Sequence, residues 1–167
     1  ALLLVITTLL MEAFIPEAIA QERGCWGIFR GNQRLTGSLS ANLPEKPRLL
    51  WNYSTGSVIK SSPVVCDNRI VAGSTNGAVY CLDMNGKLLW QYDSISNFVE
   101  TRPLLYRGGV YFGSWGNTFY ALDQKRGRLL WKRVKYGNRM FSPAAVWPVA
   151  ARGKVFIVAP DRRMTAL

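Results

Sequence analysis

The chain of 167 residues is 49% apolar and 19% charged, with 15 Gly and 8 Pro, which excludes a disordered or collagen-like polypeptide and supports one globular unit with a hydrophobic core. Lys and Arg number 21 against 10 Asp and Glu, a formal charge of +11, and histidine is absent, so His-based triads and His-ligated zinc are excluded. Cys25, Cys66 and Cys81 show no C-x-x-C spacing, which removes zinc ribbons, thioredoxin-type redox pairs and c-type haem attachment and leaves at most one disulfide.

The chain opens on an apolar run of 11 residues, Ala1 to Met11, followed by Pro16 and then Ala18-Ile19-Ala20 before Gln21. This reads as a secretory signal peptide over residues 1–20, cleaved after Ala20. A buried core helix is the competing reading, and the run is too short for a membrane span, which needs about 20 residues. Gly24-Cys25 is a poor lipidation site because Glu22 and Arg23 precede it. Removal of residues 1–20 takes Glu12 and Glu17 with it and leaves 147 residues with 21 cations and 8 acids, or +13. Residues 21–47 form a lead-in segment, and residues 48–167 carry a repeat.

Leu-Leu-Trp occurs at Leu49-Leu50-Trp51, Leu88-Leu89-Trp90 and Leu129-Leu130-Trp131, with the tryptophans 39 and 41 residues apart. Pro63, Pro103 and Pro143 are spaced by 40. Gly73-Ser74 recurs as Gly113-Ser114, Val79-Tyr80-Cys81-Leu82-Asp83 as Phe119-Tyr120-Ala121-Leu122-Asp123, and Met164 to Leu167 is a weaker third copy. Each period divides into short β-type runs separated by turns such as Asp67-Asn68, Asn85-Gly86 and Arg107-Gly108-Gly109. Apolar spacing of three and four, which helical repeats need, is missing. Four antiparallel strands per period predict an all-β fold, a β-propeller of four-stranded blades. Leu167 aligns with Leu122 and Leu82, so about three blades are expected where closed propellers have about four to eight, and the chain reads as a fragment.

Ala121-Leu122-Asp123-Gln124-Lys125-Arg126-Gly127-Arg128-Leu129-Leu130-Trp131 resembles the tryptophan-docking motif of pyrroloquinoline-quinone-like (PQQ-like) β-propellers, A-x-D-x-x-x-G-x-x-x-W. The copy from Cys81 to Trp90 is one residue shorter with Cys in place of Ala, Trp51 ends an earlier copy, and Trp26 to Asn32 is similar to the segment before the first blade in secreted members. Read physically, Gly86 and Gly127 permit a tight reversal, Asp83 and Asp123 accept turn N–H groups, and Trp51, Trp90 and Trp131 pack as plates between blades.

The resemblance implies either of two functional classes. One is a non-catalytic scaffold like the propeller lipoprotein of the outer-membrane β-barrel assembly machinery. The other is a quinoprotein alcohol or sugar dehydrogenase, with PQQ and Ca²⁺ in a central funnel, two adjacent cysteines, a catalytic Asp, and carboxylate and amide ligands. The cysteines are not adjacent and the acids are scattered, so no catalytic or metal residue is assigned and no cofactor is expected from this segment. Glu100, before Thr101-Arg102-Pro103, is the one carboxylate placed to face a funnel, although a solvated loop acid is the preferred reading. A Cys66–Cys81 disulfide is conceivable, but two buried free thiols are expected, with Cys25 near an exposed N-terminus.

Lys125, Arg126, Arg128, Lys132, Arg133, Lys135 and Arg139 put seven cations in 15 residues. They read as a solvated edge or as a contact for anionic lipid, acidic glycan or an acidic protein partner, with nucleic acid a poor fit to an exported chain. Trp115, beside Gly116-Asn117, reads as a surface contact for a partner or glycan, or as a cap on the neighbouring blade. The function expected is an exported, periplasmic or extracellular propeller that binds a protein partner or acidic ligand. The alternatives are a PQQ- and Ca-dependent oxidoreductase with its active site in further blades, and a polyanion- or carbohydrate-binding propeller.

Overall fold

The computed structural model describes residues 25–32, 34, 36–38, 44–134, 147–158 and 164–167. The apolar runs fold into antiparallel strands wherever a turn can reverse the chain. Asp67 and Asn68 take φ of 51° and 56°, Arg107 and Gly108 take 47° and 73°, and Arg152 and Gly153 take 48° and 76°. Paired positive φ is the type I′ hairpin geometry that matches strand twist.

β1 (Val64–Cys66), β2 (Arg69–Gly73), β3 (Val79–Asp83) and β4 (Leu88–Tyr92) make one four-stranded sheet in chain order. β5 (Leu104–Tyr106), β6 (Gly109–Ser114), β7 (Thr118–Asp123) and β8 (Leu129–Val134) make a second. β9 (Val149–Ala151), β10 (Lys154–Val158) and β11 (Met164–Ala166) make a third, of three strands among the described residues. First strands of successive sheets lie beside one another, β1 by β5 and β5 by β9, which is the inner ring of a β-propeller. The fold is all-β, as the period and turns require.

Burial follows the blade stacking. One core cluster joins Val64, Val71 and Trp90 of the first blade to Val110, Phe112, Tyr120 and Leu122 of the second. Another joins Leu104 of the second blade to Ala150, Val155 and Ile157 of the third, with Ile28 of the lead-in inserted. A blade buried on both faces needs apolar residues on both, which is why strand runs such as Val79–Asp83 lose the simple in-out alternation.

Two expectations are corrected. The third proline of the register is Pro148, not Pro143: Val149 pairs with Phe156 as Leu104 pairs with Tyr111 and Val64 with Val71. Pro148 lies 45 residues after Pro103, so the third repeat carries five extra residues ahead of its inner strand. Pro143 itself, like the signal-peptide segment 1–20, lies outside the described residues.

The disulfide is Cys25–Cys66, with a Cα–Cα distance of 4.3 Å across a separation of 41 residues, and Cys81 is the free, buried thiol. The physical reason is that the lead-in joins the inner ring. The N–H of Val65 donates to the carbonyl of Trp26 at 2.9 Å, and the N–H of Leu105 donates to the carbonyl of Gly27 at 2.7 Å, so Cys25 is laid against the end of β1 and packs on the core. Cys81 sits on β3, fully buried, and burial pushes its thiol up to about 11 although the Arg69 charge pulls the other way. It is inert as a nucleophile.

Candidate functional site

The docking residues act between blades. Asp83 Oδ1 accepts the N–H groups of Asn85 and Lys87, both at 2.9 Å, and Asp123 Oδ1 accepts that of Arg126 at 2.7 Å. These bonds fix the β3–β4 and β7–β8 turns, with Gly86 and Gly127 at φ of 81° and 68°. Each turn then receives the tryptophan of the preceding repeat. Trp51 Nε1 donates to the Met84 carbonyl at 2.9 Å and Trp90 Nε1 to the Gln124 carbonyl at 3.0 Å. The rings lie so close that a Cβ on Gly86 would fall 2.6 Å from Trp51 and one on Gly127 would fall 2.5 Å from Trp90. Trp90 is 8% exposed. Trp131, expected to be equally buried, is 36% exposed, with its ring centroid 6.1 Å from that of Tyr111 and 6.0 Å from that of Phe119, and among the described residues no docking turn receives its indole.

The chemistry-bearing side chains gather instead where the inner strands begin. Lys60, Ser61 and Ser62 precede Pro63, Glu100, Thr101 and Arg102 precede Pro103, and Trp147 precedes Pro148. The preferred reading of Glu100 as a solvated acid is overturned, since its side chain is only 5% exposed. Lys60 Nζ stands 2.8 Å from Glu100 Oε1, and Trp115 Nε1 donates to Oε2 at 2.8 Å. Burial pushes the Glu100 carboxyl up, but the hydrogen bonds from Lys60 and Trp115 and the Lys60 charge outweigh it and hold the group below its ordinary value. Trp115 is therefore a blade-to-rim tie, half-buried, and its backbone N–H donates to the Phe98 carbonyl at 3.0 Å. Thr75, one period earlier, makes the same bond to Val58 at 3.0 Å. Both loops thus carry an exposed apolar residue at one position, Val58 at 60% and Phe98 at 50%.

Nothing in the sequence reading paired Lys60 with Glu100. The signal was available, because opposite charges stand 40 residues apart at equivalent positions. Arg102 was also passed over. Its guanidinium lies 4.0 Å over the Phe29 ring and 4.7 Å over that of Trp147.

The cations Lys125, Arg126, Arg128, Lys132 and Arg133 are exposed on the β7–β8 turn and on β8, the outer strand of the second blade, three strands away from the inner ring. Neighbours on a strand point to opposite faces, so Lys132 and Arg133 do not share one stripe. Lys135 and Arg139 lie outside the described residues.

Among the described residues no three His, Cys, Asp or Glu side chains come together as metal donors. The half-cystines lie 41 residues apart, and both Glu100 oxygens are engaged within the fold. The described donors do not fit a quinone–calcium centre.

The family model described as outer membrane protein assembly factor BamB matches residues 36–167. Among curated proteins the chain is similar to outer membrane protein assembly factor BamB of Moranella endobia, 31% identical over 140 residues, 73% of this chain and 35% of that one. It is also similar to the dehydrogenase subunit of the quinone alcohol dehydrogenase of Gluconobacter oxydans, 28% identical over 131 residues, 67% of this chain and 17% of that one. The chain thus spans 17–35% of the length of these relatives. Among solved structures, the quinohemoprotein alcohol dehydrogenase of Comamonas testosteroni has a TM-score of 0.65 at 22% identity, covering 80% of this chain and 23% of that one. BamB of Moraxella catarrhalis has a TM-score of 0.60 at 22% identity, covering 71% of this chain and 36% of that one. These structural likenesses show the propeller fold.

Proposed function

The chain belongs to the outer membrane protein assembly factor BamB family of PQQ-like propellers, and from that membership we propose that it is part of an exported, non-catalytic scaffold that binds a protein partner in the cell envelope during outer membrane protein assembly. The observation that carries this reading is the state of Glu100. The carboxylate best placed for chemistry at the inner ring is spent on Lys60 and Trp115, tying two blades together. What the rim turns outward is contact material: Val58, Phe98 and Lys60. The Cys25–Cys66 disulfide supports an oxidising compartment and hence export.

Similarity to the Gluconobacter oxydans dehydrogenase subunit favours a second reading, a quinone-dependent oxidoreductase whose donors lie in further blades. Deletion of the full-length gene in its source bacterium separates the two. The scaffold reading expects depletion of outer membrane proteins with dye-linked alcohol oxidation unchanged. An intact outer membrane profile together with lost alcohol oxidation would replace it by the second.

A further inference from the structure

Ile28 to Gly31 form a turn in which the Gly31 N–H donates to the Ile28 carbonyl at 2.9 Å, and Arg30 within it takes φ of 60°, a left-handed backbone that a side chain other than Gly or Asn adopts rarely. That turn sets Phe29 against Trp147, with ring centroids 5.2 Å apart and planes tilted by 58°. The Arg102 guanidinium enters the wedge between the two rings, and the Arg30 guanidinium lies 5.8 Å from the same Phe29 centroid.

Two guanidinium charges beside one aromatic ring concentrate positive charge where an anion would be attracted. Among the described residues no carboxylate pairs with either guanidinium, and the acid nearest in sequence, Glu100, is held by Lys60 and Trp115. The sequence has no Asp or Glu between Asp123 and Asp161, so the segment leading to Trp147 supplies cations only. The Arg102 guanidinium lies within cation–π distance of both rings, and its planar fork can offer parallel N–H donors to two carboxylate oxygens.

We propose that Arg102 and Arg30, on the Phe29–Trp147 platform, form a carboxylate-binding site that takes an acidic side chain of a partner protein. The protein source of the carboxylate rests on the scaffold reading above. The carboxylate chemistry stands without it.

The test is fluorescence anisotropy of a fluorescein-labelled oligoglutamate peptide with the full-length protein, with glutarate and inorganic phosphate as competitors. Saturable binding is expected, weakened about tenfold or more by Arg102→Gln or Arg30→Gln and less than about twofold by Lys132→Gln with Arg133→Gln. Arg102→Lys keeps the charge without the planar fork and does not restore binding. Arg30 is exposed, so its variant reports on the site even if Arg102→Gln fails to fold.

Three results would overturn the site: no saturable binding, equal loss from the β8 variant, or displacement by phosphate as effective as by glutarate. Displacement by glutarate at the same concentration as by unlabelled peptide would overturn the protein source. Peptide binding that depends on Arg102, with outer membrane proteins intact after gene deletion, would sink the assembly reading and leave this site standing. An assembly defect without peptide binding would do the reverse.

Discussion

Trp90 and Trp131 occupy the same place in consecutive repeats and differ, among the described residues, by one partner, the turn that receives the Trp90 indole. Trp90→Ala should therefore cost about 3–5 kcal/mol in a denaturant titration, and Trp131→Ala in the same 167-residue chain about 1–2 kcal/mol. Equal losses would show that the docking turn does not hold the ring. Gly127→Ala should destabilise far more than Gly108→Ala, because both are left-handed but only a Cβ on Gly127 meets an indole. Glu100 carries a pH signature. Its folded carboxyl is held below the ordinary value, so its contribution is full above about pH 4.5 and is lost as pH falls through the depressed value. Glu100→Gln should flatten the acid limb of a stability–pH curve and leave the neutral limb parallel to the parent. The motif repeats its tryptophans, glycines and aspartates, so the sequence marks them out. The Lys60–Glu100 pair and the Arg102 wedge were not read, because each is assembled from single residues on different blades or on the lead-in.

At the level of elements, hairpin turns and short apolar β-type runs marked where the strands run, and sheet order followed from the shortness of the connections. Pro143 keeps the spacing of 40, but the third inner strand follows Pro148, where the repeat has gained five residues. Apolar pattern after Pro148, with the Arg152-Gly153 turn, was the better guide. The lead-in was visible as a segment, but its pairing with β1 was not, since a backbone bridge leaves no side-chain signature. Its disulfide closes a separation of 41 residues, so Cys25→Ser should lower stability by about 4 kcal/mol on a loop-closure estimate. Thermal unfolding with and without reductant checks this: a melting temperature unchanged by reduction would mean that the backbone pairing holds the lead-in unaided.

At the level of the molecule, the fold was the most legible property and function the least. Blade interiors repeat, and repetition advertises itself. The rim repeats less faithfully: Val58 and Phe98 are both exposed and apolar, whereas Lys60 and Glu100 carry opposite charges at equivalent positions. Charge is one-sided as well, with 21 cations against 10 acids in the chain and Glu100 engaged by Lys60 and Trp115. The central claim is that this propeller works by binding and not by turnover. It is tested most directly by adding pyrroloquinoline quinone and Ca²⁺ to the full-length protein while following quinone absorbance and dye-linked oxidation of alcohols and sugars. The account predicts neither stoichiometric quinone uptake nor substrate-dependent dye reduction, and the appearance of both would contradict it.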